Sequence, residues 1–437
     1  MARIAFVDLL FNWPPAGGSW VDVRQVAAGL SRAGHTVELF VPRFQDYYPR
    51  GRIEEDPGFV VHGIQCNRFT YNVYTFGKRL TRALESFSPD VVFLGDGYFM
   101  KGALLPYLTR WPVILRFYAY ELLCYNLHYY LYEQQRVCDG NFIEKPARCH
   151  SCWYKNPWTV PRHLLEIVFG REDRHPALHF SQEYFFSLAF TRYYREHLGQ
   201  WIGRAAAVVT YNDFTRQTMS RYNSNVLRIP SGVDTSRFYP AKSQPENESP
   251  AILMSGRVND PLKGFATVRR ACDRLWEKGR RFRLLITEQF PVDGQAPYLE
   301  KLGWLSQEQL PDLYRRCDIS LVPSIWMEPF GITALESMAS GLPVIASRIG
   351  GLETSVVDGE TGFLIQPDDS DALAEKLALL LDDPQLRRKL GSAGRKRAEE
   401  VFNWDTLVKD NYLPLVDQLS RLAPEASEGY TADRILT

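Results

Sequence analysis

A chain of 437 residues is long enough for two or three domains with full hydrophobic cores, and its 51 basic residues balance its 51 acidic ones. That balance excludes a global field of the kind that recruits nucleic acid or an anionic membrane. Seven cysteines are an odd number, which in a reducing compartment points to thiols or metal ligands before disulfides.

The chain opens Met1-Ala2-Arg3-Ile4-Ala5-Phe6-Val7-Asp8. Asp8 falls where a signal peptide would need its apolar core, so residues 3–7 are predicted as a first β-strand. The loop over 9–19 carries Pro14-Pro15 and Gly17-Gly18. Val21, Val23, Val26, Ala27 and Leu30 then fall at helical spacing, and Gly34 ends the helix before a strand over 36–41. Such a strand–helix–strand unit predicts parallel pairing with a right-handed crossover. It lacks the Gly-x-Gly-x-x-Gly fingerprint, which disfavours a nicotinamide cofactor. Further buried strands are predicted at 91–94, 113–115 and 206–210, with a long insertion rich in cysteine and aromatic residues over about 121–200.

The polar, proline-bearing stretch 240–250 reads as a linker, and a second strand–helix series starts at Ala251. It includes a buried strand over 318–323 and helices over 332–340, 371–381, 384–401 and 404–419. The predicted class is α/β, with two Rossmann-like domains facing a central cleft and ligand at the carboxyl ends of the strands. The first domain is assigned 1–235 and the second 249–403. A helix over 404–421 is expected to cross back to the first domain, and a polar tail over 422–437 to fray. No apolar run is long enough to span a bilayer, so the expected location is cytoplasmic, with peripheral membrane contact left open.

The most informative stretch is Ser324-Ile325-Trp326-Met327-Glu328-Pro329-Phe330-Gly331-Ile332-Thr333-Ala334-Leu335-Glu336. A strand, a tight turn and a helix opening make an anion site, because the first helical N–H groups lack internal partners and the helix dipole is positive there. Glu328 would sit on the turn. Glu336, two turns into the helix, would accept hydrogen bonds from a ribose diol. A ligand of sugar, phosphates and ribose fits: a nucleotide sugar. Upstream, Gly256-Arg257 follows an apolar run from Ala251, and Lys263-Gly264 comes six residues later.

These residues resemble the Glu-x7-Glu signature of the family-4 retaining glycosyltransferases, which have the two-domain GT-B fold. Gly256-Arg257 with Lys263-Gly264 looks like the family's element for holding the donor diphosphate. Ile229-Pro230-Ser231-Gly232-Val233-Asp234, closed by Phe238, looks like its interdomain junction. Ser347-Arg348-Ile349-Gly350-Gly351-Leu352, Asp358-Gly359-Glu360-Thr361-Gly362-Phe363-Leu364 and Gly17-Gly18 are also similar. The resemblance is dense in the second half and sparse in the first. The segment from Val113 through Arg116 and Phe117 to Glu121 has no His where the family usually has one; Tyr118 or Tyr120 stands there. Leu284-Leu285-Ile286 runs into Thr287-Glu288-Gln289 rather than a Gly-rich turn.

The resemblance implies a retaining, hexosyltransferase-type enzyme that moves a sugar from a nucleotide diphosphate donor, UDP- or GDP-type, to an acceptor hydroxyl. Polysaccharide, glycolipid or glycosylated-metabolite synthesis would use that reaction. Arg257 and Lys263 would stabilise the leaving diphosphate, with the backbone of Phe330, Gly331, Ile332 and Thr333 supplying donors. Glu328 would bind donor-sugar hydroxyls or stabilise positive charge, and Gly17 and Gly18 would let backbone approach a phosphate or the acceptor. With fixed cations and no Asp-x-Asp placed at a strand end, no catalytic divalent metal is required. Competing readings are solvated surface charges, or a glycosidase-type carboxylate pair, which the neighbouring cations disfavour. A nucleotide-sugar epimerase or hydrolase of the same fold, or a binding module without turnover, are the alternative functions.

Cys124, Cys138, Cys149 and Cys152 stand in Cys-x13-Cys-x10-Cys-x2-Cys order. Cys149-His150-Ser151-Cys152 is a short knuckle of the kind that holds structural zinc, with two more thiolates to complete a tetrahedron and His150 able to replace one. An iron–sulfur cluster, buried thiols or disulfides are the other readings. Tyr125, Tyr129, Tyr130, Tyr132, Trp153, Tyr154, Trp158, Tyr184 and Tyr193 fit acceptor recognition or a core around the knuckle.

Overall fold

The computed structural model describes residues 1–15, 17–44, 50–67, 69–155, 183–241, 249–288, 292 and 294–421. Trp158, the side chain of Tyr154 and the tail 422–437 lie outside the described residues. The chain divides into two units: Met1–Ile229 with Val408–Thr437, and Pro230–Leu407.

In the first unit the strands are β1 (Arg3–Val7), β2 (Thr36–Phe44), β3 (Val60–Cys66), β4 (Val91–Leu94), β5 (Val113–Arg116), the short pair β6 (Tyr130–Leu131) and β7 (Arg136–Val137), β8 (Ala207–Thr210) and β9 (Val226–Arg228). Seven of them form a parallel sheet in the order β3-β2-β1-β4-β5-β8-β9. The order reverses between β1 and β4, which makes a topological switch point at the carboxyl ends of those strands. All residues of β4, β5 and β8 are buried, as a parallel sheet covered on both faces requires. Helices α1 (Gly18–Arg32), α2 (Val73–Phe87), α3 (Tyr98–Leu104) and α4 (Pro146–Lys155) lie in this unit.

In the second unit β10 (Ala251–Met254), β11 (Arg283–Ile286), β12 (Leu299–Lys301), β13 (Ile319–Val322), β14 (Val344–Ser347) and β15 (Gly362–Ile365) form a parallel sheet ordered β12-β11-β10-β13-β14-β15. Here the reversal falls between β10 and β13. Ile252, Leu284, Leu321 and Ile345 from the sheet pack with Val268, Leu275, Leu373 and Leu377 from helices into one core.

Three details differ from the sequence reading. Strand β2 runs on to Phe44 because it pairs with β3, an edge strand with mostly exposed residues and so no apolar run to reveal it. The predicted helix over 404–419 is broken. Trp404–Leu407 is followed by a wider π turn over Val408–Tyr412 and then Leu413–Leu419. Pro414 lacks the N–H that a regular ladder would need at that step. Residues 230–235 group with the second unit, because the Val233 amide donates to Phe402 O at 2.8 Å and Gly232 lies against the Trp404 ring. Among the described residues no helix is long and apolar enough to cross a membrane.

Candidate functional site

The site in the second unit begins where β10 ends. The Thr287 hydroxyl, just past β11, accepts the Gly256 amide at 2.7 Å and donates to the Gly256 carbonyl at 3.0 Å. This fixes the backbone from which Arg257 projects. Arg257 is exposed, and its guanidinium makes no hydrogen bond or ion pair with any described residue. The turn Pro261–Lys263 follows, capped by the Asp260 carboxylate on the Leu262 amide. Gly264 closes it at φ +82°, and a Cβ there would stand 2.0 Å from Pro323 O. Only glycine permits that conformation and that contact together. The Ile325 amide donates to Leu262 O at 2.9 Å, so the turn is held against the loop that leaves β13.

That docking brings Lys263 Nζ to 2.8 Å from Glu328 Oε2, and the Ser324 hydroxyl donates to the same oxygen at 2.8 Å. Glu328 is 7% exposed, so its charge is paired and hydrogen-bonded as burial demands. Lys263 also lies 5.2 Å from the Trp326 ring centroid. Behind Glu328, the Gly351 amide donates to Glu328 O at 2.8 Å, and Gly350 at φ +55° leaves no space for a side chain against that oxygen. The next helix, Ile332–Ala339, starts at Gly331 with no side-chain cap; the Ala334 amide donates to Gly331 O at 2.9 Å, which leaves the amides of Ile332 and Thr333 for a ligand. Phe330 is buried beneath the turn, while Ile332 and Thr333 are half-buried.

Glu336 belongs to a separate hydrogen-bond set. Its Oε2 accepts from the Tyr314 hydroxyl at 2.9 Å, and that hydroxyl lies 2.7 Å from Ser255 Oγ. Burial pushes the Glu336 carboxyl up to about 7, opposed by the Tyr314 hydrogen bond and by Arg237. Glu328 and Glu336 each keep Oε1 without a hydrogen-bond partner among the described residues. Tyr314, Ser255 and Thr287 were missed in the sequence, each a lone polar residue whose partner is distant in the chain. Ser324 stands in the quoted stretch, but its bond to Glu328 four residues on was also missed.

Residues 17–232 match the family described as "Glycosyl transferase 4-like domain", and residues 235–397 match "Glycosyl transferases group 1". The two matches mark the chain as a family-4-like GT-B glycosyltransferase. It is 34% identical over 205 residues to an MMP alpha-(1->4)-mannosyltransferase of Mycolicibacterium hassiacum, covering 45% of this chain and 49% of that protein. The chain spans about half the length, or less, of the first curated relatives it matches. Among solved structures, sucrose-phosphate synthase of Thermosynechococcus elongatus superposes with a TM-score of 0.68 at 21% identity, covering 96% of this chain and 99% of that one. Anabaena HepE in complex with UDP-glucose superposes with a TM-score of 0.61 at 14% identity, covering 95% and 100%. These likenesses establish the fold: two Rossmann-like domains of the GT-B kind.

In the 4-like unit of this glycosyltransferase, Gly17 precedes α1 in an extended conformation open to any residue, and nothing lies within 4 Å of where its Cβ would be. Gly18 is the first helical residue. Tyr118 packs beside Arg116 and Tyr211, and Tyr120 is buried against Tyr129 and Phe214. Two charge networks that the sequence reading missed lie here. Arg116 meets Asp22 at 3.2 Å, and the Tyr211 hydroxyl donates to Asp22 at 3.0 Å, all buried. Lys101 meets Glu121 at 2.7 Å near Asp8 and Asp96, at the carboxyl ends of β1, β4 and β5. Burial raises Asp8 to about 6. It raises Asp96 to about 8, with Glu121 and Asp8 adding to the shift.

Cys124, Cys138, Cys149 and Cys152 line one small pocket with Asn126 and Arg148, and all four are free thiols. As placed, they do not form a ligating set: among the described residues no group of three or more His, Cys, Asp or Glu could hold a metal ion. His150 is committed elsewhere, 3.1 Å from the Tyr184 hydroxyl through Nδ1 and 2.7 Å from Arg195 through Nε2. The insertion's aromatics pack as core: Tyr125 stacks on Phe142 at 4.4 Å, and Trp153 lies 4.2 Å from Tyr184. An Asp-x-Asp does occur, at Asp369-Ser370-Asp371 beyond β15. Asp369 caps the helix Ser370–Asp382, and Asp371 pairs with Arg274.

Proposed function

We propose that this chain is a retaining glycosyltransferase that moves a sugar from a nucleotide diphosphate sugar, of the UDP or GDP type, to an acceptor hydroxyl without a catalytic divalent metal. The observation that carries the reading is the Lys263–Glu328 pair beside an uncapped helix start, with Arg257 uncommitted nearby in sequence and exposed. As the bond from the sugar's anomeric carbon to the diphosphate breaks, its electron pair goes to the diphosphate. Lys263 and the amides at 331–333 stabilise that charge from fixed positions, and the exposed Arg257 guanidinium adds a second cation. Glu328 Oε1 accepts a donor-sugar hydroxyl or faces the positive charge building on the sugar, while Lys263 and Ser324 hold Oε2. Glu336 Oε1 accepts from the ribose diol while Tyr314 holds Oε2. Gly17 and Gly18 lie on the acceptor half. Retention rests on the family resemblance.

A thermal-shift screen of the full chain across UDP-, GDP- and ADP-sugars tests the donor class. A ligand that binds the native state raises apparent stability by about 2.7 kcal/mol at a hundred times its Kd. No shift with any nucleotide sugar would sink the reading. Nucleoside diphosphate released without an acceptor would indicate the hydrolase alternative, and product NMR would report the anomer. Turnover should survive EDTA; loss that magnesium restores would overturn metal independence.

A further inference from the structure

Helix α4 presents two different faces. His150 and Trp153, three residues apart, meet Tyr184 and the aromatic core. Cys149 and Cys152, also three apart and so neighbours on the helix surface, turn to the pocket that Cys124 and Cys138 line. Cys124 lies beyond β5 and Cys138 directly follows the β6–β7 hairpin, so three separate segments each bring sulfur to one place. Sugar transfer uses none of them.

We propose that Cys124, Cys138, Cys149 and Cys152 close on one tetrahedral zinc ion that ties α4 and the β6–β7 hairpin to the body of the first unit. The pocket already holds groups that suit sulfur ligands. Asn126 Nδ2 donates to Cys152 Sγ at 3.3 Å, and Arg148 lies 3.9 Å from Cys138 Sγ. N–H donors of this kind orient and tune metal-bound thiolates. A divalent cation deprotonates a coordinating thiol outright. The step balances without redox change: four S–H protons leave to solvent, four sulfur–zinc bonds form, and the site carries a net charge of minus two. Both His150 nitrogens are occupied, so it replaces no thiolate. Closure draws in thiols that now stand apart around the pocket, so binding and local ordering are one event. A set with four protein ligands leaves no open position, which makes the site structural.

The full chain, prepared without a polyhistidine tag and kept reduced, is the material for the test. Elemental analysis should find about one zinc per chain. The chelator-stripped chain should take up one cobalt ion, with the absorption of tetrahedral thiolate-bound cobalt and release of about four protons. C149S/C152S should lose this spectrum. If that variant does not fold, the cobalt titration of the natural chain decides alone. Absence of zinc together with no cobalt uptake would overturn the proposal. So would two disulfides among the four cysteines, or iron with inorganic sulfide in place of zinc.

Discussion

Arg116 and Arg257 both stand at or just past the carboxyl end of a parallel strand, Arg116 ending β5, one strand away from its sheet's reversal, and Arg257 following β10, which flanks its own. Arg116 is 2% exposed. It pairs with Asp22, donates to Ile229 O at 2.9 Å and lies 4.1 Å from the Tyr211 ring. Arg257 is exposed and uncommitted. The same contrast runs through the two units. Arg50–Glu183, Lys101–Glu121 and Arg116–Asp22 are buried pairs in the first, whereas Lys263 in the second keeps a quarter of its side chain exposed beside an uncapped helix. A cation buried in an ion pair is part of the fold. A cation left partly open, on a turn that only glycine can close, can take a ligand.

The comparison breaks if the two arginines respond alike to removal. Arg116→Ala leaves Asp22 charged and buried, with Tyr211 as its remaining partner, and should cost about 3–5 kcal/mol of stability. Denaturant titration measures it; an unchanged midpoint would mean that Asp22 is protonated or reaches water. Arg257→Ala should leave the midpoint within about 0.5 kcal/mol. Its turnover at saturating donor, and that of Lys263→Ala, should instead fall by about 10²–10³, or roughly 2.7–4 kcal/mol of transition-state stabilisation. Wild-type turnover in both variants would move the leaving-group site elsewhere.

What the sequence disclosed follows the same division. The strand before Glu328 and the helix holding Glu336 were legible, because Ile319–Val322 is an unbroken buried run and Gly331 marks the turn between them. The Lys263–Glu328 contact was not. Its partners lie 65 positions apart and meet only because β10 and β13 are neighbours. Tyr314 carried no local signal. In the first unit, α2 could have been read: Val73, Phe76, Leu80, Leu84 and Phe87 follow helical spacing behind the Asn72 cap. Asp22 was also a clue, a carboxylate buried among the apolar positions of α1. Strand β3 offered nothing, since an exposed edge strand lacks the apolar pattern that marks buried ones.

The smallest expected effects concern Glu336 and give it two opposite pH signatures. Glu336→Ala should weaken donor binding by about 1–3 kcal/mol, because the ribose diol loses a buried acceptor. In the native chain, burial raises this carboxyl from 4.5 to about 7. The folded state therefore holds the proton where the unfolded state has released it. This group's contribution to stability is fullest below 4.5 and is lost as pH rises toward 7. Donor binding runs the other way, because an ionised carboxylate accepts from the diol and a protonated one offers an O–H in its place. Affinity should fall by about fivefold between pH 7 and pH 6, and Glu336→Gln should remove that slope. Calorimetric titration of the donor at pH 6, 7 and 8, alongside denaturation of the free protein over the same range, reads both signs at once. A wild-type affinity that does not change across that range would take the ribose away from Glu336 and leave its bond to Tyr314 as structure alone.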